Sequence, residues 1–324
     1  MCSNCTNVQY YINMDIEKKK ILTKISRLYY LDDLSQQEIA DRIGISRSKV
    51  SRALKMARNE KIVEIKINSI WERYENIETE IEKRFKLKQC KVVSSNSNDS
   101  DTYKQLAREM GSILERILEN NFYLGIGWGL TLRTIADHLE IKKKRDINVV
   151  PMIGGLGKVG TGVHTNAVAK TIADKFGGVS YVIHSPAVLD SPEIKEAIER
   201  DSNTSEVLKL SDKIDVALLG ISDIGQDSTL IKTGDFSMSD FDYLESLGAV
   251  GDLNLIFIDK KGKEVKSKLD GRIVRSSIEK VRHIKNVIVA GFGKRKVEVL
   301  LAALEGGFID ILLTDEKTAL RLIG

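Results

Sequence analysis

The chain has 324 residues, of which 42% are hydrophobic and 30% charged, a composition that excludes disordered and fibrous proteins. No apolar run approaches the roughly 18 to 20 residues that span a bilayer, and the first residues lack the apolar stretch of a signal peptide. We therefore expect a cytoplasmic protein with no membrane partner. The formal net charge of +4 is uneven, since residues 15–66 hold 13 Lys or Arg and 8 Asp or Glu. This basic first segment indicates a contact with nucleic acid.

The N-terminal extension carries two of the three cysteines, too few for a disulfide framework. Cys2 and Cys5 have the spacing of metal ligands, but no second Cys or His pair completes a tetrahedral site. We expect no metal and no cofactor. The start of translation, at Met1 or at Met14, stays open.

Three helices are predicted in the basic segment. The first runs from about Glu17 to Tyr30, with apolar residues at spacings of three and four that include Ile21 and Ile25. Ser35 begins SQQEIADRI, which has the spacing of a capping box, and Gly44 ends this second helix. The third helix begins after Ser46 and reaches about residue 59, and the pair predicts a helix-turn-helix domain. The segment IVEIKI that follows alternates like a strand and is expected to form a wing.

The outer face of the third helix shows hydroxyl and cationic side chains. The second helix of such a motif enters the major groove, where Arg pairs well with guanine. We predict base contacts from Arg47, Ser48, Ser51 and Arg52, and phosphate contacts from the more peripheral residues. The complete predicted DNA-binding set is Gln36, Ser46, Arg47, Ser48, Lys49, Ser51, Arg52, Lys55 and Arg58. The alternative is a helical hairpin that binds protein.

An amphipathic helix from Ile70 to Phe85 is predicted to connect the two domains. It is too short to dimerise alone, and two roles stay open, namely help in pairing subunits or packing on the next domain. The predicted domains are therefore residues 15–68, a linker helix over 69–88 and an effector domain over 89–324.

Short apolar runs alternate with amphipathic stretches in the effector domain. This alternation predicts an α/β domain with a doubly wound, mostly parallel sheet, whose ligands bind beyond the C-terminal strand ends. The predicted strands are 91–93, 122–127, 147–153, 179–185, 216–222, 253–259, 286–291 and 309–314. The predicted helices are 102–119, 131–140, 165–176, 192–200, 239–247, 274–283, 295–305 and 315–323.

The turn GIGWGLT at residues 125–131 is the best candidate for a binding loop. Its glycines let the backbone approach a ligand, and free amides at the helix start at Thr131 suit a phosphate. The spacing does not fit a dinucleotide fingerprint or a P-loop. The alternatives are a small phosphorylated ligand and a plain tight turn.

Other polar residues follow predicted strands and are further candidates for a crevice that binds sugar hydroxyls and a phosphate. A solvated loop position is the alternative for each. The complete predicted effector-binding set is Gly127, Trp128, Gly129, Thr131, Lys158, Asn166, Asp252, Lys296 and Asp315.

The whole chain, from about residue 18 to its end, resembles the SorC/DeoR-type sugar-binding transcriptional regulators of bacteria. The motifs that carry the resemblance are QQEIADRIGISRSKVSRALKMAR, GIGWGLTL, GAVGDLNLIFIDKKG and LLAALEGGFIDILLTDEKTA.

This resemblance implies a winged helix-turn-helix domain and an effector domain similar to sugar-phosphate isomerases and CoA transferases. It also implies a homodimer or homotetramer whose binding to a double-stranded DNA operator is changed by a phosphorylated sugar. Residues 127–131 match the family's phosphate loop, and Asp252 and Lys296 match its sugar-contacting pair. The sequence AGFG departs from the family pattern, because Phe292 stands where a second glycine is common, and the departure is expected to narrow the pocket.

We therefore expect a regulator without enzymatic activity, which represses or activates a carbohydrate uptake or catabolism operon. One alternative is a sugar-phosphate isomerase-like enzyme with an appended DNA-binding domain, which needs a general base at the turn. Another is a DNA-processing enzyme, which needs a nucleophile beside clustered Arg residues or a metal-binding carboxylate cluster. The sugar and the operator sequence are not predicted.

Overall fold

The computed structural model describes residues 3–65, 72–96, 98–155 and 164–324, and the side chains of 17–65, 74–96, 98–155 and 164–324. The Cys2–Cys5 pair and Lys158 therefore lie outside the described residues. The chain divides into two compact units, Met1–Ile70 and Trp71–Gly324. Among the described residues, no helix is both long enough and apolar enough to cross a bilayer.

The first unit is built from helices α1 (Ser3–Tyr30), α2 (Gln36–Ile43) and α3 (Arg47–Asn59). The capping box of α2 is present as predicted, because Ser35 accepts from the backbone N–H of Glu38 while the Glu38 carboxylate accepts from that of Ser35. Gly44 ends α2 with φ 74°, a left-handed conformation that favours glycine. The helix-turn-helix prediction is confirmed.

Each of the three helices contributes the residues of one face to the core of the first unit. Its buried residues are Ile25, Leu28, Ile39, Ala40, Val50 and Leu54. Ile21 was predicted to face this core but is 53% exposed, and its neighbour Leu22 is buried at 3% instead, so the inward face of α1 is rotated by one residue there. Residues 61–65 form a turn and bends, and the rest of the predicted wing lies outside the described residues.

The predicted linker helix is α4 (Glu72–Phe85), which belongs to the second unit and packs on its strand β1 (Gln89–Val93). Glu82 accepts from the N–H of Cys90 at 2.7 Å, and Glu78 accepts from that of Val92 at 2.9 Å. Edge strands expose such amides, so two carboxylates of α4 cover this edge. Packing on the next domain, one of the two predicted roles, is therefore observed.

The second unit is centred on a seven-stranded parallel sheet with the order β1-β10-β9-β5-β2-β3-β4. Helices cover both faces, as a doubly wound sheet requires, and the fold class is confirmed. The remaining strands of this sheet are β2 (Tyr123–Ile126), β3 (Asn148–Pro151), β4 (Val179–Ser180), β5 (Val216–Leu219), β9 (Asn286–Ala290) and β10 (Ile311–Asp315).

A second, antiparallel sheet of three strands was not predicted. It contains β6 (Ile221–Asp223), β7 (Ala249–Leu253) and β8 (Ile256–Asp259) in that order. The predicted strand 216–222 divides at Gly220 into β5 and β6. The predicted strand 253–259 is interrupted by a two-residue turn, in which Asn254 and Leu255 have φ 53° and 60°. Positive φ at both central positions is the geometry of a tight hairpin turn.

The helices of the second unit follow the predicted positions with shifted ends. The short helices α9 and α10 were not predicted, and the predicted helix 274–283 begins only at Ile278, because residues 273 and 275 form β-bridges. The helices are α5 (Asp99–Ile117), α6 (Leu130–His138), α7 (Thr165–Phe176), α8 (Pro192–Arg200), α9 (Ser202–Lys209), α10 (Thr229–Lys232), α11 (Met238–Ser246), α12 (Ile278–His283), α13 (Val297–Glu305) and α14 (Glu316–Ile323).

Candidate functional site

The outer face of α3 is a solvent-exposed polar surface. Its opposite face is buried at Val50, Leu54 and Ala57, so the intervening side chains must point away from the core. The exposed members of the predicted DNA-binding set are Ser46, Arg47, Ser48, Lys49, Ser51, Arg52, Lys55 and Arg58, whereas Gln36, at the start of α2, is half-buried.

Local hydrogen bonds fix the start of this helix. The Ser46 side chain accepts from the N–H of Lys49 at 3.4 Å, and its hydroxyl lies 3.0 Å from that of Ser48. No acidic residue lies in the first turn of α3. Within the part of the chain that the structure describes, the Arg and Lys side chains of α3 form no ion pair, so they remain available to an anionic partner.

A cavity of about 240 Å³ opens beyond the C-terminal ends of β2, β5 and β9, where parallel sheets bind ligands. The antiparallel sheet supplies a further wall. The cavity is lined by Tyr103, Trp128, Gly129, Leu130, Thr131, Gly220, Ile221, Ser222, Asp223, Asp227, Thr229, Lys232, Asp252, Arg295 and Lys296.

One end of the cavity is the start of α6. Gly129 adopts φ 126° before this helix, and no side chain caps the helix N-terminus. The loop is held close to the neighbouring strand end, since a Cβ on Gly220 would lie 1.8 Å from the carbonyl oxygen of Trp128. Uncapped amides at a helix N-terminus attract an anion through both hydrogen bonds and the helix dipole.

Lys296 brings a cation to the same end. Its Nζ donates to Thr131 Oγ1 at 3.0 Å. Burial lowers the pKa of Lys296 to about 8, and the charges of Asp223 and Asp252 oppose that fall. The ammonium is thus held in a poorly hydrated position, where a bound anion gains more from it than it would in water.

Asp252 brings a carboxylate to the cavity from β7. The side chain is fully buried, and its Oδ2 accepts from the N–H of Leu255 at 2.8 Å. No described residue hydrogen-bonds its Oδ1. Burial raises the pKa of Asp252 to about 7, against the hydrogen bond from Leu255 and the charge of Lys296. An orphaned buried acceptor next to a cavity is suited to a ligand hydroxyl.

The mouth of the cavity carries an ion-pair network. Arg295 contacts Asp223 with its Nε at 3.1 Å and Asp227 with its Nη1 at 2.8 Å. Lys232 lies 3.9 Å from Asp227. Asp223 is the last residue of β6 and Asp227 lies in the loop that follows, so Arg295 connects this end of β6 with the turn after β9.

The structure brings Trp128, Gly129, Thr131, Asp252 and Lys296 together, as the sequence suggested for these five residues. Gly127 does not line the cavity. It lies just behind the loop, where a Cβ would come within 2.7 Å of Asn254 Oδ1.

Two other predicted residues lie elsewhere and hold the backbone. Asn166 donates to the carbonyl of Ile183 at 3.0 Å and accepts from its N–H at 3.2 Å. Asp315 caps α14 by accepting from the N–H of Thr318 at 3.0 Å, and it also accepts from the hydroxyl of Ser95 at 2.5 Å. These bonds account for Asn166 in the first turn of α7 and for Asp315 at the end of β10 without a ligand.

The residues of the cavity region that sequence reasoning missed include Tyr103, Asp223, Asn254 and Arg295. Asn254 is fully buried, and neither polar atom of its side chain has a partner among the described residues. Two sequence signals could have identified some of these residues. Asp223 belongs to the polar pair Ser-Asp that follows the apolar run 216–221, and Arg295 directly precedes the predicted Lys296.

Comparison with known proteins decides the family. Residues 71–324 match the family model described as "Putative sugar-binding domain", and residues 24–71 match a Crp-like helix-turn-helix domain. The chain belongs to the SorC/DeoR-type family of sugar-binding transcriptional regulators. It is thus a transcriptional regulator with a helix-turn-helix domain and a sugar-binding domain.

Relatives match along almost the entire chain. The deoxyribonucleoside regulator of Bacillus subtilis is 26% identical over 311 residues, covering 96% of this chain and 99% of the relative. The LsrR regulator of Escherichia coli K12 is 29% identical over 306 residues, which are 93% of this chain and 94% of the relative. The crystal structure of the full-length sorbitol operon regulator SorC of Klebsiella pneumoniae superposes with a TM-score of 0.74 at 28% identity, covering 94% of this chain and 98% of that one.

Proposed function

We propose that binding of this regulator to its operator is controlled by a phosphorylated sugar, and that it governs a carbohydrate uptake or catabolism operon. The names of two relatives, a sorbitol operon regulator and a deoxyribonucleoside regulator, support a sugar-linked operon. These relatives are named as regulators, and operons are transcribed in the cytoplasm, so they also support a cytoplasmic location for this protein. Whether the protein acts as a repressor or as an activator depends on where its operator lies.

The observation that carries the proposal is that one cavity holds two unlike kinds of group. The uncapped start of α6 and the Lys296 ammonium favour a phosphate. The buried Asp252, which lines the same cavity, has an oxygen without a partner among the described residues and favours a hydroxyl donor. A sugar phosphate carries both groups. The cavity of about 240 Å³ lies below the 300–1,000 Å³ of sites for larger ligands, which supports a compact effector.

The proposed effector-binding residues are Trp128, Gly129, Thr131, Asp252 and Lys296. Gly127 supports them by allowing close packing behind the loop. Lys158, outside the described residues, stays a proposal from sequence. Asn166 and Asp315 act in this proposal through the backbone segments that they hold rather than by touching the effector.

The proposed DNA-binding surface is the exposed face of α3. Arg47, Ser48, Ser51 and Arg52 contact base edges in the major groove, whereas Gln36, Ser46, Lys49, Lys55 and Arg58 contact phosphates. A helix-turn-helix protein covers two half-sites as a dimer, so we propose a homodimer or homotetramer. The effector must then bind one arrangement of the subunits more tightly than another, because only differential affinity shifts an equilibrium.

The isomerase-like enzyme is less well supported. A general base needs a pKa near the working pH, and Asp252 meets that condition, but relatives that match over more than 90% of this chain are named as regulators. Similarity of fold to enzymes does not confer their chemistry.

The test is a gel-shift titration of the full-length protein on duplex DNA from its own upstream region, with pentose and hexose phosphates. We expect at least one sugar phosphate to change operator affinity in the wild type. Lys296→Ala should weaken the response to that effector about 10- to 100-fold, the worth of one charged hydrogen bond of about 1.5–3 kcal/mol. Operator binding without effector should not change.

The matched control is Lys294→Ala, which removes an exposed cation from the same short turn after β9. It should leave the response intact. An unchanged response in Lys296→Ala would refute the role of that residue, and no response to any sugar phosphate would refute the proposed effector class.

A further inference from the structure

Tyr103 of α5 lines the cavity and packs against the ring of Phe292. We infer that Phe292, acting through Tyr103, is a specificity-determining residue that restricts the cavity to compact sugar monophosphates. This inference rests on the proposed function and deepens it. It assigns the size limit of the effector to a residue that does not line the cavity itself.

The contact between the two rings is direct. Tyr103 lines the cavity, and its ring centroid lies 4.9 Å from that of Phe292 at an interplanar angle of 67°. This edge-to-face geometry is the favourable one for an aromatic pair. Both residues are half-buried, and both pack on the core beneath α5 and α6. Phe292 therefore supports the cavity wall from behind.

The backbone on both sides of Phe292 is fixed. The N–H of Gly291 donates to the carbonyl of Leu313 at 3.0 Å, and the N–H of Gly293 donates to Thr318 Oγ1 at 2.8 Å. The Phe292 ring cannot move away from Tyr103 by a shift of this loop unless these hydrogen bonds break. The support is thus rigid.

The hydroxyl of Tyr103 also has a contact, in the part of the cavity beside the start of α6. Thr131, whose Oγ1 accepts from Lys296 Nζ, faces the Tyr103 hydroxyl and opposes the rise in the pKa of Tyr103 that burial causes. The ring packs against Phe292 and the hydroxyl faces Thr131, so Tyr103 has a contact at both ends. A ligand longer than the cavity must displace this wall or the ion pairs at the mouth.

The charges of the cavity also disfavour a second phosphate. Of the described cations that line it, Arg295 and Lys232 are already paired with Asp223 and Asp227 at the mouth. Lys296 remains for a single phosphate. A second phosphate would need either a displaced Tyr103 or a broken ion pair, and each of these costs selects for a monophosphate.

The experiment measures dissociation constants by calorimetry for ribose 5-phosphate, glucose 6-phosphate and fructose 1,6-bisphosphate on the full-length protein. We expect the wild type to bind a monophosphate at least tenfold more tightly than the bisphosphate. Phe292→Ala should reduce this ratio by about tenfold or more, the scale on which pocket shape discriminates between ligands. Phe292→Tyr keeps the edge contact and should keep the ratio.

Tyr103→Leu provides a second variant, because it removes the wall even if Phe292→Ala does not fold. It should reduce the ratio in the same way. A merely structural role would weaken all three ligands equally and leave the ratio unchanged, and that result in both variants would overturn the inference. A wild type that binds the bisphosphate more tightly than the monophosphates would also overturn the inference, but it would leave the proposed function intact. Absence of binding by any sugar phosphate would instead overturn the proposed function and this inference together.

Discussion

The two units of the chain present their functional groups in opposite ways. The proposed DNA-binding surface, called the recognition surface below, comes from α3, a single 13-residue helix whose cations and hydroxyls are exposed. The cavity is assembled from segments as far apart in sequence as Tyr103 in α5 and Lys296 after β9, and its key groups are buried or half-buried. A surface that meets a polyanion in water works through many outward charges. A site for a small molecule works through a few desolvated groups that await a partner.

The difference extends to what holds each site together. The polar face of α3 depends on local interactions, namely the Ser46 cap and the helix itself. The cavity depends on close approach between strand ends that only the folded sheet creates, such as Gly220 against Trp128. Substitutions should therefore affect the two functions separately, and the cavity should be the more sensitive to small changes of shape.

The largest expected effect comes from Gly220→Ala. The added methyl group would meet the carbonyl oxygen of Trp128 at 1.8 Å, and since backbone must shift, we expect a loss of about 3 kcal/mol in the free energy of unfolding. Effector binding should be lost as well, because the loop before α6 moves. Urea unfolding and calorimetry measure the two effects.

Gly271→Ala is the matched control, since its methyl group would lie 3.3 Å from Pro192 Cγ and needs only a small adjustment. We expect it to change stability by less than about 1 kcal/mol. If the two variants had equal free energies of unfolding, the close approach between Gly220 and Trp128 would not constrain the cavity. The proposed difference between the two units would then be contradicted.

The next largest effect concerns the recognition surface. Arg52→Ala should reduce discrimination between operator and random DNA by about 1–3 kcal/mol, the value of a bidentate contact to a base. Effector binding should be unchanged. Lys20→Ala, which removes a cation that pairs with Glu17 on α1, is the control and should leave discrimination intact. An equal loss of affinity on both DNAs would mean that Arg52 only neutralises phosphate.

Much of this architecture was predictable because its signals are local. The capping box at Ser35, the turn at Gly44 and the buried face of α3 each depend on residues a few positions apart. The parallel strands were also located correctly, because buried parallel strands are continuous apolar runs.

The antiparallel sheet was missed for the same reason. Residues 253–258 form an apolar run that is interrupted only by Asn254 and contains the turn, and Leu255 is an unusual residue for positive φ. No local pattern marks the turn except Asn254. Because β7 was not predicted, the position of Asp252 inside a strand was not either.

Which polar residues serve a ligand was the least predictable feature. Asp252 and Asp315 both lie near strand ends, yet Asp315 accepts from Thr318 and Ser95, whereas Asp252 keeps an oxygen without a partner among the described residues. A sequence gives the residue type at a strand end, but whether its polar atoms are already engaged depends on tertiary contacts. Tyr103 was missed because it lies within a helix rather than in a loop.

The smallest effect tests burial, the property that most separates the cavity from the recognition surface. Burial lowers the pKa of Lys296 to about 8, below the usual 10.5. The ammonium that we propose to bind the phosphate is therefore lost as the pH rises through about 8. Effector affinity should fall about tenfold from pH 8.5 to 9.5, the slope for one linked proton.

A phosphate monoester keeps its second charge above a pKa of about 6, so the ligand does not titrate in this range. Asp252, with a pKa of about 7, is already ionised there and does not contribute to the fall. Calorimetry without DNA should show the slope in the wild type and in Lys294→Ala, but not in Lys296→Ala. A flat profile in the wild type up to pH 9.5 would mean that the lysine is as well hydrated as the cations of α3, and the contrast between a desolvated cavity and an exposed recognition helix would lose its electrostatic basis.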